Sequence, residues 1–254
     1  MKTVLIAGAT GAVGEYVAID KLIQGGYCIL LGNSDEKIEH LKKIIKKNKI
    51  SNNQFSIYKC DLTKDTEFQD LMNKILKNHK KIDQFISSIS MGKVGSLNRV
   101  EIDDFRDELE LKLLSNIKLL KFLPMVANTE CTAIILSGMF AKVKNYDFII
   151  NCTVNAALNN FCKTIAKEYM QNGIKINIVN PGAISSPSWQ NIINTLADYE
   201  NVSPETIEKE YLSAMQSSGL LEPKDISNLI QFLSSDEGNK IIGVELVIDN
   251  GSTL

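Results

Sequence analysis

The 254-residue sequence lacks a surplus of charge of either sign. Its 28 lysines and arginines are matched by 30 aspartates and glutamates, and the formal net charge is −2. A protein that binds nucleic acid or an anionic membrane surface needs a concentrated basic face. Neither is therefore expected as a partner, and the lysine-rich stretch 42–49 is interpreted as the solvated end of a helix.

Paired cysteines are also missing. The five cysteines are odd in number and none forms a C-x-x-C pair. This spacing argues against a disulfide framework and against a zinc site. A reduced, cytoplasmic compartment is the expected location.

Long apolar runs are absent as well. No stretch reaches the roughly 18 uninterrupted apolar residues that a transmembrane helix needs. The N-terminus passes from Met1-Lys2 directly into a strand-like segment, without the cleavage region of a signal peptide. We expect neither a membrane span nor a secretory leader.

Short apolar runs alternate with longer amphipathic segments along the whole sequence. The runs predict strands, and the segments between them predict helices. We expect strands at residues 3–7, 27–31, 54–59, 84–88, 132–137, 175–179 and 244–248. We expect helices near residues 13–24, 36–47, 66–77, 102–126, 150–170 and 223–233. This alternation predicts one α/β domain over residues 1–254, a doubly wound Rossmann-type fold whose seven-stranded, mostly parallel sheet carries helices on both faces.

Residues 185–219 interrupt this rhythm with two prolines and many polar residues. We interpret them as an insertion of one or two short helices, next to the carboxyl ends of the strands where ligands bind in such sheets. Its large side chains either line a substrate pocket or pack the insertion onto the body: Trp189, Tyr199, Tyr211 and Met215.

The strongest local signal is the glycine-rich segment 7–14, which follows the first strand and opens a helix. A pyrophosphate needs a tight turn, close approach of the backbone and a helix N-terminus directed at it, and Gly8, Gly11 and Gly14 can supply these. The alternative is a purely structural turn.

The second strand ends at Gly32-Asn33, with neither an acid for a ribose 2′-hydroxyl nor an arginine for a 2′-phosphate. NAD and NADP both stay open. NADP is slightly preferred, because the small uncharged end of the strand leaves room for a 2′-phosphate.

Further motifs follow in a characteristic order, and with them the sequence resembles the short-chain dehydrogenase/reductase family along nearly its whole length. Cys60-Asp61-Leu62 resembles the aspartate that contacts adenine and its apolar neighbour. Residues 180–187 resemble the Pro-Gly motif after the sixth strand, with Ser186 in place of a threonine, and residues 247–251 resemble the closing strand. The resemblance implies a nicotinamide dinucleotide held by Gly8, Thr10, Gly11, Val13, Gly14, Asn33, Asp61, Leu62, Ser88, Ile184 and Ser186.

The departures from this family fall at its chemical centre. The family's Tyr-x-x-x-Lys segment corresponds to residues 151–155, so that Asn151 stands at the tyrosine position and Asn155 at the lysine position. Residues four apart share a helix face, so both are expected to point into the site. Neither amide titrates. Gly138 stands at the catalytic serine position, and we expect the adjacent Ser137 to face the other way.

Lys112 occupies a place where the family often has an active-site asparagine, so lysine and asparagine look exchanged between positions 112 and 155. Lys112 either returns a cation to the site, or it is structural or extends its head to the surface, and the non-catalytic interpretation is preferred. Tyr146 and Cys152 are further candidates for proton transfer. Non-catalytic interpretations are preferred for both: Tyr146 lies too early in the sequence for the tyrosine motif, and Cys152 is interpreted as a small helix residue.

The resemblance implies an NAD(P)-dependent oxidoreductase acting on a small molecule, here with altered or lost catalytic chemistry. The alternative is a catalytically silent subunit or cofactor sensor that pairs with an active relative. We expect a homodimer or homotetramer, because one predicted helix carries more leucines than a single sheet face needs: Leu109, Leu113, Leu119, Leu120 and Leu123.

Overall fold

The computed structural model describes residues 1–79, 81–214 and 219–253. Its centre is a seven-stranded sheet in the order β3-β2-β1-β4-β5-β6-β7, and every described strand pair is parallel. The prediction of a doubly wound α/β fold is confirmed. The strands are β1 Thr3–Ala7, β2 Tyr27–Gly32, β3 Phe55–Lys59, β4 Ile82–Ser87, β5 Ala127–Leu136, β6 Ile174–Pro181 and β7 Glu245–Ile248.

The helices between the strands lie close to the predicted ranges. They are α1 Ala12–Ile23, α2 Asp35–Lys47, α3 Asp65–Asn78, α4 Ile102–Glu108, α5 Ser115–Val126, α6 Ile149–Gln171, α7 Pro187–Glu200, α8 Pro204–Ala214 and α9 Pro223–Leu233. No helix in the described ranges combines the length and the apolar character needed to cross a membrane.

Both faces of the sheet are buried, which explains the continuously apolar strands. In β1, Leu5 and Ala7 belong to one hydrophobic cluster with residues of α3, α5 and α6. Val4 and Ile6 belong to a second cluster with residues of α1, α2 and α9. Each fully buried aliphatic side chain contributes about 1.5–3 kcal/mol. Successive strand residues therefore stabilise the helix layers on opposite faces of the sheet.

The direction of the strand order reverses at β1 and β4. From β1 the chain adds β2 and β3 on one side, whereas from β4 it adds β5, β6 and β7 on the other. Connections leave such a point in opposite directions, which opens a crevice at the carboxyl ends of the two strands. The predicted glycine turn follows β1 at this crevice, and Ser88 follows β4.

The predicted helix over residues 102–126 is interrupted. A π-helical turn, Leu109–Leu114, separates α4 from α5. Side chains satisfy backbone carbonyls in this turn, since Ser115 Oγ donates to Glu110 O at 3.0 Å and Asn116 Nδ2 donates to Lys112 O at 2.6 Å. Such local widening changes the face that the following residues present, and it is frequent at functional sites.

The leucine argument for an oligomer is wrong in its main part. Leu119, Leu120 and Leu123 are buried within the chain itself, where they pack in the same cluster as β4 and β5. Leu109 and Leu113 are half-buried against Met91, Ile150 and Val154. These side chains cover the sheet and α6, so their number is explained without a second subunit.

The insertion at 185–219 contains α7 and α8, and residues 215–218, Met215 included, lie outside the described residues. Its apolar side chains form a cluster with Val94 and Phe148 of the main body. Tyr211 donates a hydrogen bond to Asp147 at 2.7 Å, and Arg99 Nη1 lies 2.7 Å from Glu200. These contacts hold α7 and α8 over one end of the crevice.

Candidate active site

A cleft of about 550 Å³ opens at the carboxyl ends of β1 and β4. It is lined by the glycine turn and the start of α1, by the loop after β4, by Lys112 in the π turn, by the end of β5, by α6, and by the segment from Pro181 to α7. The volume lies within the range of about 300–1,000 Å³ that is usual for small-molecule and cofactor sites. The cleft therefore brings together residues of several sequence motifs that lie far apart along the chain.

The glycine turn is built for close backbone packing. Gly8 has a φ of +76°, a left-handed conformation that favours glycine. A Cβ at Gly14 would stand 2.1 Å from Gly8 O and 2.5 Å from Ser88 Oγ, so α1 lies directly against the turn. A Cβ at Gly11 would meet only Gly8 O, at 3.5 Å. Gly8 and Gly14 thus shape the turn, while Gly11 leaves open space at the mouth of α1.

The N-terminus of α1 is free to bind an anion. Gly11 is its N-cap and makes no side-chain capping bond, and Thr10, Gly11, Ala12 and Val13 all line the cleft. The first N–H groups of a helix have no partner within the helix, and the helix dipole is positive at this end. The turn therefore fits the pyrophosphate of a dinucleotide.

Other predicted cofactor residues divide into two groups. Ser88, Ile184 and Ser186 line the cleft. Ser88 Oγ donates to Gly8 O at 3.0 Å, and Ser186 Oγ accepts from Trp189 N at 3.1 Å as the cap of α7. Asn33, Asp61 and Leu62 do not line it.

Asp61 has local partners outside the cleft. Its carboxylate accepts from the N–H of Thr63 at 3.1 Å and from the Thr63 hydroxyl at 2.6 Å, and it lies 3.7 Å from Lys64. Although burial opposes it, this set of hydrogen bonds and the Lys64 charge hold the pKa of Asp61 below its ordinary value. Asp61 is therefore ionised at the end of β3, beyond the cleft wall.

A cluster of charges at the α1 and α2 end of the cleft was missed from the sequence. Glu15, Glu36, Lys37 and His40 line this end, and His40 Nε2 lies 3.6 Å from Glu15. Burial raises the pKa of Glu15 above its ordinary value, and the nearby His40 opposes that change. These residues surround the end of β2, where Gly32 packs against Thr10.

At the other end, Asn151 and Asn155 project from α6 into the cleft and both are buried. The Oδ1 atom of each has no hydrogen-bond partner among the described residues. A Cβ at Gly138 would lie 2.8 Å from Asn155 Nδ2, so the small residue at 138 makes room for this amide. Ser137 lines the cleft too, but its hydroxyl donates to Asn155 O at 3.4 Å and is thus directed at the α6 backbone.

Lys112 does not reach the surface, so the interpretation that its head extends into solvent is wrong, whereas the choice between a structural lysine and a cation for the site stays a prediction. Its side chain is 4% exposed, lines the cleft, and donates from Nζ to Ser137 O at 2.8 Å. Burial lowers the pKa of Lys112 to about 8, against an opposing contribution from Glu108. Glu108 Oε1 accepts from the N–H groups of Gly92 and Lys93, each at 2.8 Å, on the side of the loop after β4.

The other two candidates for proton transfer are elsewhere. Tyr146 is 76% exposed and does not line the cleft. Cys152 Sγ donates to Val143 O at 3.5 Å and thus contacts the loop before α6. Among the described residues that line the cleft, none is a tyrosine.

The end of the cleft beneath α7 is apolar. It is lined by Met91, Met139, Phe140, Phe148, Trp189 and Ile192. Phe140 and Phe148 stack with their ring centres 4.1 Å apart. Trp189 Nε1 donates to Glu208 at 2.7 Å, so its polar atom is already satisfied. Of the two predicted roles for the insertion's large residues, Trp189 fulfils both, because it lines the cleft and packs α7 onto α8.

The comparisons with known proteins cover nearly the whole chain. A protein-family model described as enoyl-(acyl carrier protein) reductase matches residues 8–253. The oxidoreductase UcpA of Salmonella typhimurium is 26% identical over 256 residues, which span 100% of this chain and 95% of that protein.

Solved structures share the fold. A short chain dehydrogenase family protein from Francisella tularensis superposes with a TM-score of 0.86 at 20% identity, covering 100% of this chain and 99% of the other. YwfH, an NADPH-dependent reductase involved in bacilysin biosynthesis, superposes with a TM-score of 0.88 at 20% identity, covering 100% and 98%.

Proposed function

The chain belongs to the short-chain dehydrogenase/reductase family of oxidoreductases, and from this premise we propose that it reduces a small apolar carbonyl compound with NADPH, without a tyrosine acid. The observation that carries the proposal is the single cleft that joins the glycine turn to Lys112, Asn151 and Asn155. When bound, the reduced nicotinamide supplies the hydride. The chain positions the reactants, excludes water and handles the proton.

The cofactor would be held mainly by backbone groups. The free N–H groups at the start of α1 would bind the pyrophosphate, and Ile184 and Ser186 would contact the nicotinamide end. Asp61 and Leu62 do not line the cleft, so they would contact the cofactor only if one of its groups extends beyond it. The two unpartnered amide oxygens of Asn151 and Asn155 would accept hydrogen bonds from hydroxyl groups of the ligands.

We propose NADP rather than NAD because Lys37 lines the cleft beside the uncharged end of β2. Two carboxylates, Glu15 and Glu36, share this end, and Glu15 has His40 as a partner. Lys37 is exposed and has no carboxylate partner among the described ion pairs. A 2′-phosphate would give its ammonium a charge-assisted hydrogen bond.

Replacement of Lys37 by glutamate is expected to weaken NADPH binding about tenfold, the effect of one exposed charge-assisted contact. NADH binding is expected to change less than about twofold, because NADH lacks the phosphate. Fluorescence titration at low ionic strength measures both. Lys47→Glu, at the far end of the same helix and with the same charge change, is the control. Equal losses for the two nucleotides would contradict the assignment.

The substrate end favours an apolar carbonyl compound. Apart from Lys112, the described lining away from the Glu15, Glu36, Lys37 and His40 cluster carries no charged side chain. A carboxylate or phosphate group on the substrate would therefore be desolvated without a partner beneath α7. An aliphatic or aromatic ketone or aldehyde buries its apolar body against Phe148 and Trp189.

The test of the proposed reaction is transfer of deuterium from 4-deuterated NADPH to a panel of aliphatic and aromatic aldehydes and ketones. Mass spectrometry of the alcohol products detects slow turnover. We expect transfer by the native chain and, at NADPH concentrations near its dissociation constant, transfer several-fold slower by Gly11→Ala, in which the added methyl group enters the mouth of α1. Absence of transfer across the panel, with NADPH bound, would contradict the proposed reaction and favour a silent subunit.

We retain the proposal of a homodimer or homotetramer, on different residues from those first expected. Ile102, Leu114 and Met125 are exposed along α4, the π turn and α5. A second copy of the chain would cover them. Light scattering at micromolar concentration is expected to give the mass of two or four chains, and a single-chain mass would contradict the proposal.

A further inference from the structure

Proton transfer in the cleft needs a group that titrates, and the lining offers few. Five of its described residues carry an ionisable side chain, and four of them form the cluster at the α1 and α2 end: Glu15, Glu36, Lys37 and His40. The fifth is Lys112. In the described lining it is therefore the only titratable group on the side where Asn151, Asn155 and the apolar substrate end meet.

The π turn explains how a lysine comes to lie there. Lys112 lies within this turn, Leu109–Leu114, and its Nζ donates to Ser137 O at the end of β5 at 2.8 Å. This bond uses one of the three N–H groups of the ammonium. No second acceptor for Nζ occurs among the described residues, so the other two N–H groups remain for ligands in the cleft.

The same segment of β5 connects Lys112 with the two asparagines. Lys112 contacts the carbonyl of Ser137, the Ser137 hydroxyl contacts the α6 backbone at Asn155, and Asn155 fills the space beside Gly138. Asn151 lies one turn earlier on α6 and also has an unpartnered amide oxygen. An ammonium and two amides thus line the same cleft, next to the end of β5.

We propose that Lys112 is the catalytic acid of this cleft and donates a proton from Nζ to the carbonyl oxygen of the substrate. This inference rests on the proposed function. As the carbonyl carbon accepts the hydride, the electron pair of its π bond moves to the oxygen, which takes the proton from Nζ. The substrate is reduced to an alcohol, the nicotinamide is oxidised, and the amine is left neutral until solvent returns its proton.

The environment of Lys112 suits this role. Its pKa of about 8 keeps it protonated at neutral pH while making it a better acid than an exposed lysine. Glu108, on the preceding turn, is the one titratable group whose charge acts on it among the described residues. The neighbours that β5 and α6 contribute, Ser137, Asn151 and Asn155, are uncharged.

The first measurement follows the proton itself, independently of turnover. NMR spectra of the chain labelled with ¹³C at the lysine Cε assign Lys112 as the signal missing from Lys112→Met. We expect this signal to titrate with a midpoint of about 8 and to shift when NADPH fills the cleft. A midpoint above about 10, the range of an ordinary lysine, or a signal that NADPH leaves unchanged, would overturn the proposal.

The second measurement compares variants by NADPH titration and by deuterium transfer to the carbonyl panel. Lys112→Met removes the charge, whereas Lys112→Arg keeps a cation that does not give up its proton. Both are expected to bind NADPH within about threefold of native and to lose at least about 100-fold in transfer rate, the usual contribution of a general acid. Lys121→Met, an exposed lysine of α5, is the control and should match the native chain.

The outcomes separate the two proposals. A native chain that does not bind NADPH contradicts the proposed function and leaves Lys112 without a role. Normal NADPH binding with a Lys112→Arg variant as fast as the native chain contradicts the acid, because a fixed positive charge would then be sufficient. A native chain that binds NADPH but transfers no deuterium to any carbonyl of the panel contradicts the proposed reaction and, with it, the acid.

Discussion

Gly14→Ala is expected to abolish nucleotide binding and to destabilise the fold. The new methyl carbon would stand 2.1 Å from Gly8 O and 2.5 Å from Ser88 Oγ, and the first of these is a backbone atom that cannot rotate away. Either α1 or the turn must shift, which destroys the cradle for the pyrophosphate. Overpacking of this kind costs about 1–3 kcal/mol, and we expect more than 100-fold weaker NADPH binding.

Gly11→Ala separates binding from folding. Its methyl carbon would meet only Gly8 O, at 3.5 Å, and the φ of −86° is open to any residue. The cost in stability should be about 1 kcal/mol or less, the loss of a glycine cap. NADPH binding should still fall at least tenfold, because the methyl group takes the space over the free N–H groups of α1.

Thermal melts and NADPH titrations of the two variants measure both effects. Gly92→Ala is the matched control, since a Cβ there would meet nothing within 4 Å. A Gly14→Ala chain that binds NADPH like the native chain would contradict the geometry of the turn. A Gly11→Ala chain that binds NADPH as tightly as the native chain would show that the phosphates do not bind over the start of α1.

Lys112→Met is expected to stabilise the chain while it removes the acid. The pKa of Lys112 falls from the ordinary 10.5 to about 8 because the folded protein buries its charge. At about 1.4 kcal/mol per pKa unit, this difference of about 2.5 corresponds to roughly 3 kcal/mol against folding. Methionine removes that penalty but leaves Ser137 O without its donor, at about 1 kcal/mol. The net gain in the free energy of unfolding at pH 7 is about 2 kcal/mol.

The stability difference between the native chain and Lys112→Met is expected to depend on pH. Between pH 8 and 10.5 the unfolded chain holds the Lys112 proton and the folded chain does not, so native stability rises with pH in that window. Below pH 8 the penalty is fully present. The advantage of Lys112→Met should therefore shrink from pH 8 upward and vanish at about pH 9.5, at about 1.4 kcal/mol per pH unit. By about pH 10.5 the native chain should be the more stable by about 1 kcal/mol, because its neutral amine still donates to Ser137 O.

Urea unfolding of both chains at pH 7, 8.5 and 10 measures the difference, with Lys121→Met as the control. A methionine variant less stable than the native chain at pH 7 would show that Lys112 is retained for its structural hydrogen bond. A gain in stability combined with loss of turnover is the signature of a charge kept for function.

The fold was predictable because its signals are local. Strands covered on both faces are continuously apolar, and the glycine turn marks the first crossover from strand to helix. The π turn was not predictable, because residues 102–126 keep a helical pattern through it. The leucines of α5 misled for a related reason: they face a sheet and a neighbouring helix together, and the sequence shows only that they are numerous.

Those site residues that belong to a single sequence motif could be predicted. Thr10, Gly11 and Val13 line the cleft as their spacing suggested, and Asn151 and Asn155 share the expected helix face. The burial of Lys112 depends on the π turn and on Ser137, which follow from tertiary structure. The same holds for the fit between Gly138 and Asn155, since only the packing of β5 against α6 brings them together. One weak indication in the sequence that Lys37 lines the cleft is its position in the first turn of α2, shortly after the end of β2.

Calorimetric titration of the native chain with NADPH measures whether this cleft binds a nicotinamide dinucleotide over the glycine turn. We expect one site per chain with a dissociation constant on the order of micromolar, and at least tenfold weaker binding in Gly11→Ala. No detectable heat of binding at millimolar NADPH, NADP⁺, NADH or NAD⁺ would contradict it.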